Sequence, residues 1–240
     1  MAAVGEVDNL GLGSRDLAKG AGVLERLTID VVSDVVCPWC YIGKRRLEAA
    51  LARLKETEPD LPVDVRWHPF QLNPDLPREG VDRRGYLEAK FGGPEGAREV
   101  YARVEAAGRS VDIPFAFDSI RRQPNTLDAH RLIAWAQSRR EGDPDALVER
   151  LFRAYFLEGR FVGDRDELVR LAVDAGYDAD DARVFLASDA FVADIAEADR
   201  QARTLGVSGV PFFVFGGKAA LSGAHESETL LAAIAQARSG

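Results

Sequence analysis

Hydrophobic and polar positions change period several times along the chain, and the changes mark its elements. Leu27, Ile29 and Val31 alternate with Thr28, Asp30 and Val32, and β-branched residues dominate, which predicts a buried strand. Directly downstream, Ile42, Leu47, Ala50, Leu51 and Leu54 fall at helical spacing, with Lys44, Arg45, Arg46, Glu48 and Arg53 on the opposite face. Val63, Val65 and Trp67 then alternate with Asp64, Arg66 and His68, a second strand. Strand, helix and strand make a βαβ unit, whose crossover is expected to be right-handed. Near the C-terminus, Pro211 opens the apolar run Phe212-Phe213-Val214-Phe215. The Gly216-Gly217 pair and the segment Lys218 to Ser222 follow, which reads as a hairpin. Ser227 is positioned to cap a last helix through Leu230, Leu231, Ile234 and Arg238.

Between these ends, roughly Leu76 to Leu205, the pattern predicts helix after helix. Asn125 is a candidate cap for a helix carrying Leu127, His130, Leu132, Ile133 and Trp135. Asp143-Pro144 opens another, with Leu147, Leu151, Phe152 and Phe156. Asp164 with Glu167 three residues on resembles a capping box before Leu168, Leu171 and Ala172. Phe185 and Leu186, then Phe191, Val192 and Ile195, mark the last two helices. The fold class is therefore α/β: a βαβ…ββα frame over residues 27–75 and 206–240, interrupted by a large all-helical insertion over 76–205. Residues 1–26 read as a flexible N-terminal extension.

Composition narrows the function. Thirty-one basic against thirty-nine acidic residues give a net charge of −8, no local basic patch stands out, and nucleic acid is not an expected partner. No run approaches the ~20 apolar residues of a membrane helix. Glu6, Asp8, Arg15, Asp16 and Lys19 interrupt the first 26 residues before any apolar run forms, so a secretory signal is not expected and a cytoplasmic location is.

The chemistry centres on two cysteines, Cys37 and Cys40, the only ones in the chain. Random placement gives this spacing about once in a hundred times, so it asks for a cause. A zinc site requires four ligands, and only the scattered His68, His130 and His225 are available to complete one. A buried structural pair is a second reading. The third is a redox dithiol, which the local pattern favours, because Cys37-Pro38-Trp39-Cys40 sits where a strand hands over to a helix. Pro38 suits the first helical position, which leaves Cys37 at the helix N-terminus, where backbone N–H groups and the helix dipole favour a thiolate. Such a cysteine is expected to be exposed for attack. Cys40, one turn on, lies within reach to resolve a mixed disulfide. Pro211 carries two readings: a proline tolerated at a strand start, or a cis Val210–Pro211 bond beside the dithiol whose backbone pairs with an extended substrate.

These residues resemble a known family. Ser33-Asp34, Cys37-Pro38-Trp39-Cys40-Tyr41, Phe70-Gln71-Leu72-Asn73-Pro74, Asn125-Thr126 with Ala129-His130-Arg131-Leu132, and Gly209-Val210-Pro211 together are similar to the DsbA family of thioredoxin-fold thiol–disulfide oxidoreductases, most closely its FrnE-like branch. The resemblance runs from about Leu27 to the C-terminus. It implies a thioredoxin fold with a helical insertion, a nucleophilic Cys37, a resolving Cys40 and a cis Pro211. Pro38, Trp39 and Val210, which flank these, are the expected substrate contacts. It also implies thiol- or disulfide-containing protein or small-molecule substrates. No metal, flavin or nucleotide is implied, and glutathione enters only as a reductant or co-substrate. The same superfamily holds 2-hydroxychromene-2-carboxylate isomerases and kappa-class glutathione transferases, which typically carry serine in place of the first cysteine and use bound glutathione. A glutathione-dependent isomerase or transferase is therefore the alternative function. His130, Phe70, Phe115 and Phe117 are expected to be packing residues, and Arg121-Arg122 and Arg139-Arg140 solvated helix ends. Oligomeric state is not legible.

Overall fold

A computed structural model describes residues 26–239; apart from Arg26, the predicted N-terminal extension lies outside them. Strand β1 (Leu27–Ser33) leads into helix α1 (Pro38–Thr57) and strand β2 (Val63–Pro69). Strand β3 (Val81–Asp82), helices α2 (Arg83–Phe91) and α3 (Pro94–Arg109), a 3-10 turn (Phe117–Ser119) and strand β4 (Arg122–Gln123) follow. Helices α4 (Leu127–Ser138), α5 (Pro144–Phe156), α6 (Arg165–Asp174), α7 (Ala179–Ala187) and α8 (Val192–Thr204) come next. The chain closes with β5 (Phe212–Phe215), β6 (Ala219–Ser222) and α9 (Ser227–Ser239).

The main sheet has the order β2-β1-β5-β6. β1 runs parallel to β2 from Leu27↔Val63 to Ser33↔Pro69, and antiparallel to β5 through Ile29↔Phe215 and Val31↔Phe213. A strand with a neighbour on each side and helices on both faces is buried on both, which is why Val32 is covered as fully as Val31. Ile29 and Val31 join the main core, whereas Val32 packs with Phe70, Ala202 and Val207 in a second, smaller one. The hairpin turns on Gly216 and Gly217 at φ 56° and 69°, and the Lys218 N–H donates to the Phe215 carbonyl at 3.0 Å. Two consecutive positive φ values make a type I′ turn, which glycine enters without strain.

β2 is an edge strand, and its open side is covered by a side chain. Gln137 of α4 accepts from the Trp67 N–H at 2.7 Å and donates to the Trp67 carbonyl at 2.9 Å, as a neighbouring strand would. Aspartates begin four of the inserted helices: Asp82 caps α2, Asp143 α5, Asp164 α6 and Asp178 α7, each accepting from first-turn N–H groups at 2.7–3.2 Å. Such a cap is worth ~1 kcal/mol. Three sequence expectations are corrected here. Glu167 does not reach back to complete a capping box, because Arg160 and Arg170 hold its carboxylate. Ser227 is the first residue of α9 rather than its cap, and its hydroxyl turns to Glu228. The segment between β2 and β5 is not all-helical, since β3 and β4 pair antiparallel within it.

The inserted helices join the frame through α1. Tyr41 stacks on Phe152 of α5 at 5.0 Å, and its hydroxyl donates to Glu149 at 2.9 Å. Burial and the Glu149 carboxylate push that phenol up to about 12. The buried Lys44 meets Asp145 at 2.9 Å as well as Glu48. Burial lowers the Lys44 pKa, but the carboxylates outweigh it and leave the amine charged above its ordinary value. On the sheet side, a Cβ added at Gly43 would lie 2.9 Å from Pro211 Cγ and 3.1 Å from Phe213 Cζ. Gly43→Ala is therefore expected to lower the urea midpoint at unchanged m, a loss of about 1–3 kcal/mol from overpacking. An unchanged midpoint would contradict this account of the α1–β5 contact.

Candidate active site

The site begins where β1 ends. Asp34 is fully buried, and its carboxylate accepts from the N–H of Leu72 at 2.8 Å and of Val36 at 3.5 Å, fixing the turn between strand and helix. The Cys37 N–H closes that turn on the Asp34 carbonyl at 3.0 Å. Cys37 is the N-cap of α1, in extended conformation, and its carbonyl accepts from Cys40 at 3.0 Å and Tyr41 at 3.4 Å. Pro38 contributes no N–H and that of Cys40 is turned to the Cys37 carbonyl, so the Cys37 side chain makes no capping hydrogen bond and is left to face Val210.

The Cys37 thiol donates to the Val210 carbonyl at 3.5 Å, across 173 residues of sequence, and the Val210–Pro211 peptide is cis. The sheet register explains the meeting: Val32 pairs with Phe212, so the end of β1 and the start of β5 share one end of the sheet. The structure thus brings Cys37, Cys40, Pro38, Trp39, Val210 and Pro211 into one neighbourhood. Both cysteines are free thiols.

Cys37 is 6% exposed, not open as the sequence suggested, because α2 and α3 lie over it. What remains is a cleft of about 220 Å³, lined by Cys37, Pro38 and Trp39 from α1, Leu72 and Asn73 after β2, Tyr86, Leu87 and Lys90 of α2, and Tyr101 and Val104 of α3. Trp39, 38% exposed, stands at the rim. Cys40 is one turn deeper and 1% exposed. Burial drives its pKa well above the ordinary thiol value, the hydrogen bond with Cys37 adds to this, and Ser33 with the Asp34 backbone opposes it. Tyr101 is also held protonated, by burial first; Arg83 works against this and the nearby Cys37 with it. The cleft therefore offers a neutral phenol close to Cys37. Lys90 donates to the Tyr86 hydroxyl at 3.0 Å, and that hydroxyl is hydrogen-bonded to Asn73.

His130 does not face this cleft. It is buried with Nε2 3.4 Å from Asp34 Oδ1 and without a hydrogen-bond partner, a packing residue as expected but not a satisfied one. His68 pairs with Asp30 at 2.7 Å, and His225 meets the Ser222 carbonyl at 2.9 Å. Among the described residues no group of three or more His, Cys, Asp or Glu is placed to hold a metal, and no helix is long and apolar enough to cross a membrane.

The family model of the DSBA-like thioredoxin domain matches residues 28–235. The chain belongs to that family. A probable DsbA oxidoreductase from Streptomyces coelicolor shares 33% identity with this DSBA-like chain at a TM-score of 0.78, over 89% of this chain and 91% of the other. The 2-hydroxychromene-2-carboxylate isomerase has the same fold at 17% identity and TM-score 0.62, over 87% and 95% of the two chains. So does the cytosolic disulfide reductase DsbM of Pseudomonas aeruginosa, at 21% identity and 0.57, over 88% and 95%. The uncharacterized protein YwbO of Bacillus subtilis is 28% identical over 150 residues, 62% of this chain and 66% of that one, just under two thirds of its length.

Other family-like residues serve as braces. The Asn125 side chain donates to the carbonyls of Pro74 at 3.1 Å and Leu76 at 2.7 Å and accepts from the Leu127 N–H at 2.9 Å. Arg131, wholly buried, closes the α7–α8 connection by donating to the carbonyls of Ser188 at 2.6 Å and Ala190 at 2.8 Å. The residues missed from sequence are the cleft walls on α2 and α3. Their signal was the Gly92-Gly93-Pro94 break, followed by Tyr101, Val104 and Gly108 at helical spacing.

The contrast between the two thiols yields a prediction. Iodoacetamide applied to the reduced protein at about pH 8 should modify Cys37 and leave Cys40 as a buried thiol until urea is added. Peptide mass spectrometry reads the outcome, and equal modification of both cysteines would contradict the geometry.

Proposed function

We propose that Cys37 and Cys40 form the redox couple of a thiol–disulfide oxidoreductase, with Cys37 as nucleophile and Cys40 as resolving thiol. The observation that carries this reading is the asymmetry of the pair. Cys37 caps a helix and opens on a cleft, whereas Cys40 is sealed one turn below. In the oxidising direction a substrate thiolate attacks Cys37 Sγ, the Cys37–Cys40 bond breaks, and Cys40 leaves with the electron pair and takes a proton. A second substrate thiolate then attacks the substrate sulfur of the mixed disulfide and expels the Cys37 thiolate. The substrate becomes a disulfide as the dithiol is formed. In the reducing direction the Cys37 thiolate attacks a substrate disulfide, and Cys40 displaces the product as its own proton is lost. Pro38 and Trp39 line the substrate path, and the Val210 carbonyl and cis Pro211 form the wall against which the mixed disulfide is held.

Small thiols suit this cleft better than a folded chain, since α2 and α3 leave about 220 Å³ above Cys37. Glutathione is therefore the first partner to test, a choice supported by the fold likeness to DsbM, which is known in a structure with glutathione. The same likeness supports a cytoplasmic setting. The cysteine at position 37 weighs against a glutathione-dependent isomerase or transferase.

Mixing the reduced Cys40→Ser variant with glutathione disulfide should leave glutathione bound to Cys37 as a stable adduct, visible by mass. The wild-type chain should pass on to its own disulfide, and Cys37→Ser should do neither and lose turnover by at least about a hundredfold. Full turnover by Cys37→Ser in a glutathione-dependent isomerisation would replace this reading with the alternative.

A further inference from the structure

Outside the cysteine cleft, one buried charge has no carboxylate to answer it. Three cations are buried among the described residues, Lys44, Arg83 and Arg131. Lys44 has Asp145 at 2.9 Å, and Arg131 has Asp128 at 2.6 Å. Arg83, the first residue of α2 and 6% exposed, has no Asp or Glu within ion-pair range. Its neighbours are neutral: the Phe117 carbonyl at 3.5 Å, the rings of Tyr101 and Phe117 at 4.8 and 5.5 Å, and the hydroxyls of Tyr101 and Tyr155. Its Nε has no hydrogen-bond partner. An ion removed from water and left unpaired is costly, and an anion that joined it would recover much of that cost.

A second arginine stands beside it. The β3–β4 bridge pairs Asp82 with Arg122, and the Arg83 N–H donates to the Arg121 carbonyl at 3.0 Å, so Arg83 and Arg121 leave adjacent backbone positions. Arg121 is exposed and has no ion-pair partner among the described residues. Both line a cavity of about 530 Å³ bounded by α2, α3 and the turn at Phe117–Ser119. Arg84 and Arg98 at its margin are already taken, by Glu88 and Glu95 at 2.9 Å each, and Asp118 is the remaining acid of the wall. Leu87 and Ile120 supply an apolar floor. The basic pair Arg121-Arg122 is thus not a helix end. Arg121 turns to this cavity while Arg122 lies over the Phe161 ring at 4.0 Å, and a local basic site exists that the acidic composition concealed.

We propose that this cavity binds an anion of the phosphate class, inorganic or as a phosphomonoester, with its oxygens on Arg83 and Arg121. Two guanidinium groups match a dianion better than a single carboxylate, and their planar forks suit its oxygens. Asp118 repels any anion in proportion to its charge, so it is the two guanidinium groups together that outweigh it. An organic body attached to the phosphate would lie on Leu87 and Ile120.

Calorimetric titration of the full chain at constant ionic strength tests this, with inorganic phosphate and phenyl phosphate run separately against a chloride-matched control. We expect one saturable site per chain. Arg121→Gln and Arg83→Met should each weaken it by about tenfold or more, the loss of a charge-assisted contact, while Cys37→Ser leaves it unchanged. Arg83→Met should keep its melting temperature without ligand, since it removes an unpaired buried charge. Tighter binding of phenyl phosphate identifies a phosphomonoester site, and equal binding a free-anion site. No saturable heat above the control, or affinity unchanged in Arg121→Gln, would overturn the proposal. Arg121 is exposed, so that variant decides even if Arg83→Met does not fold.

Discussion

Everything at the candidate site follows from the pairing of β1 on both sides. Parallel to β2 and antiparallel to β5, this strand ends where β5 begins, so the turn after Ser33 and the peptide before Phe212 meet at one edge of the sheet. The buried Asp34 carboxylate ties that turn to Leu72, which fixes the direction in which α1 leaves. Cys37 then reaches the Val210 carbonyl at 3.5 Å. A slip of β1 by one residue against β5 would exchange its two faces and carry the cysteine away from Val210.

The inserted helices turn this junction into an enclosed site. Lys44 and Tyr41, on the turn of α1 after the cysteines, are anchored to α5 through Asp145, Glu149 and Phe152, so the dithiol helix is gripped from the insert as well as from the sheet. α2 and α3 cover Cys37, which trades free access for a bounded apolar cleft with a phenol and an amine at its edges. In a low-dielectric cleft of this kind, charge developing on sulfur is stabilised only by the groups that face it. Arg83 stands behind that wall, touching Tyr101 on one side and the outer cavity on the other.

Much of this was legible in the sequence, and the parts that were not share a cause. The strands of the main sheet, the Gly216-Gly217 turn and the Asp143-Pro144 helix start are written in local pattern, because period, backbone freedom and capping act over a few residues. The cysteine pair was legible in its spacing and its strand–helix setting. The burial of Cys37 was not, since it depends on α2 and α3 folding back over a residue some fifty positions earlier. Gln137 covering the edge of β2, and Arg83 lying beside Arg121, are equally non-local: each requires a backbone register that composition does not carry. The two-residue strands β3 and β4 are too short to show any period.

The central claim is that Cys37 and Cys40 are a reversible couple, and equilibrium titration against glutathione buffers with thiol trapping tests it most directly. The account predicts a single two-electron transition, with both thiols appearing together and the potential falling between the about −270 mV of thioredoxin and the about −120 mV of DsbA. Failure to form an intramolecular disulfide at any glutathione ratio would contradict it.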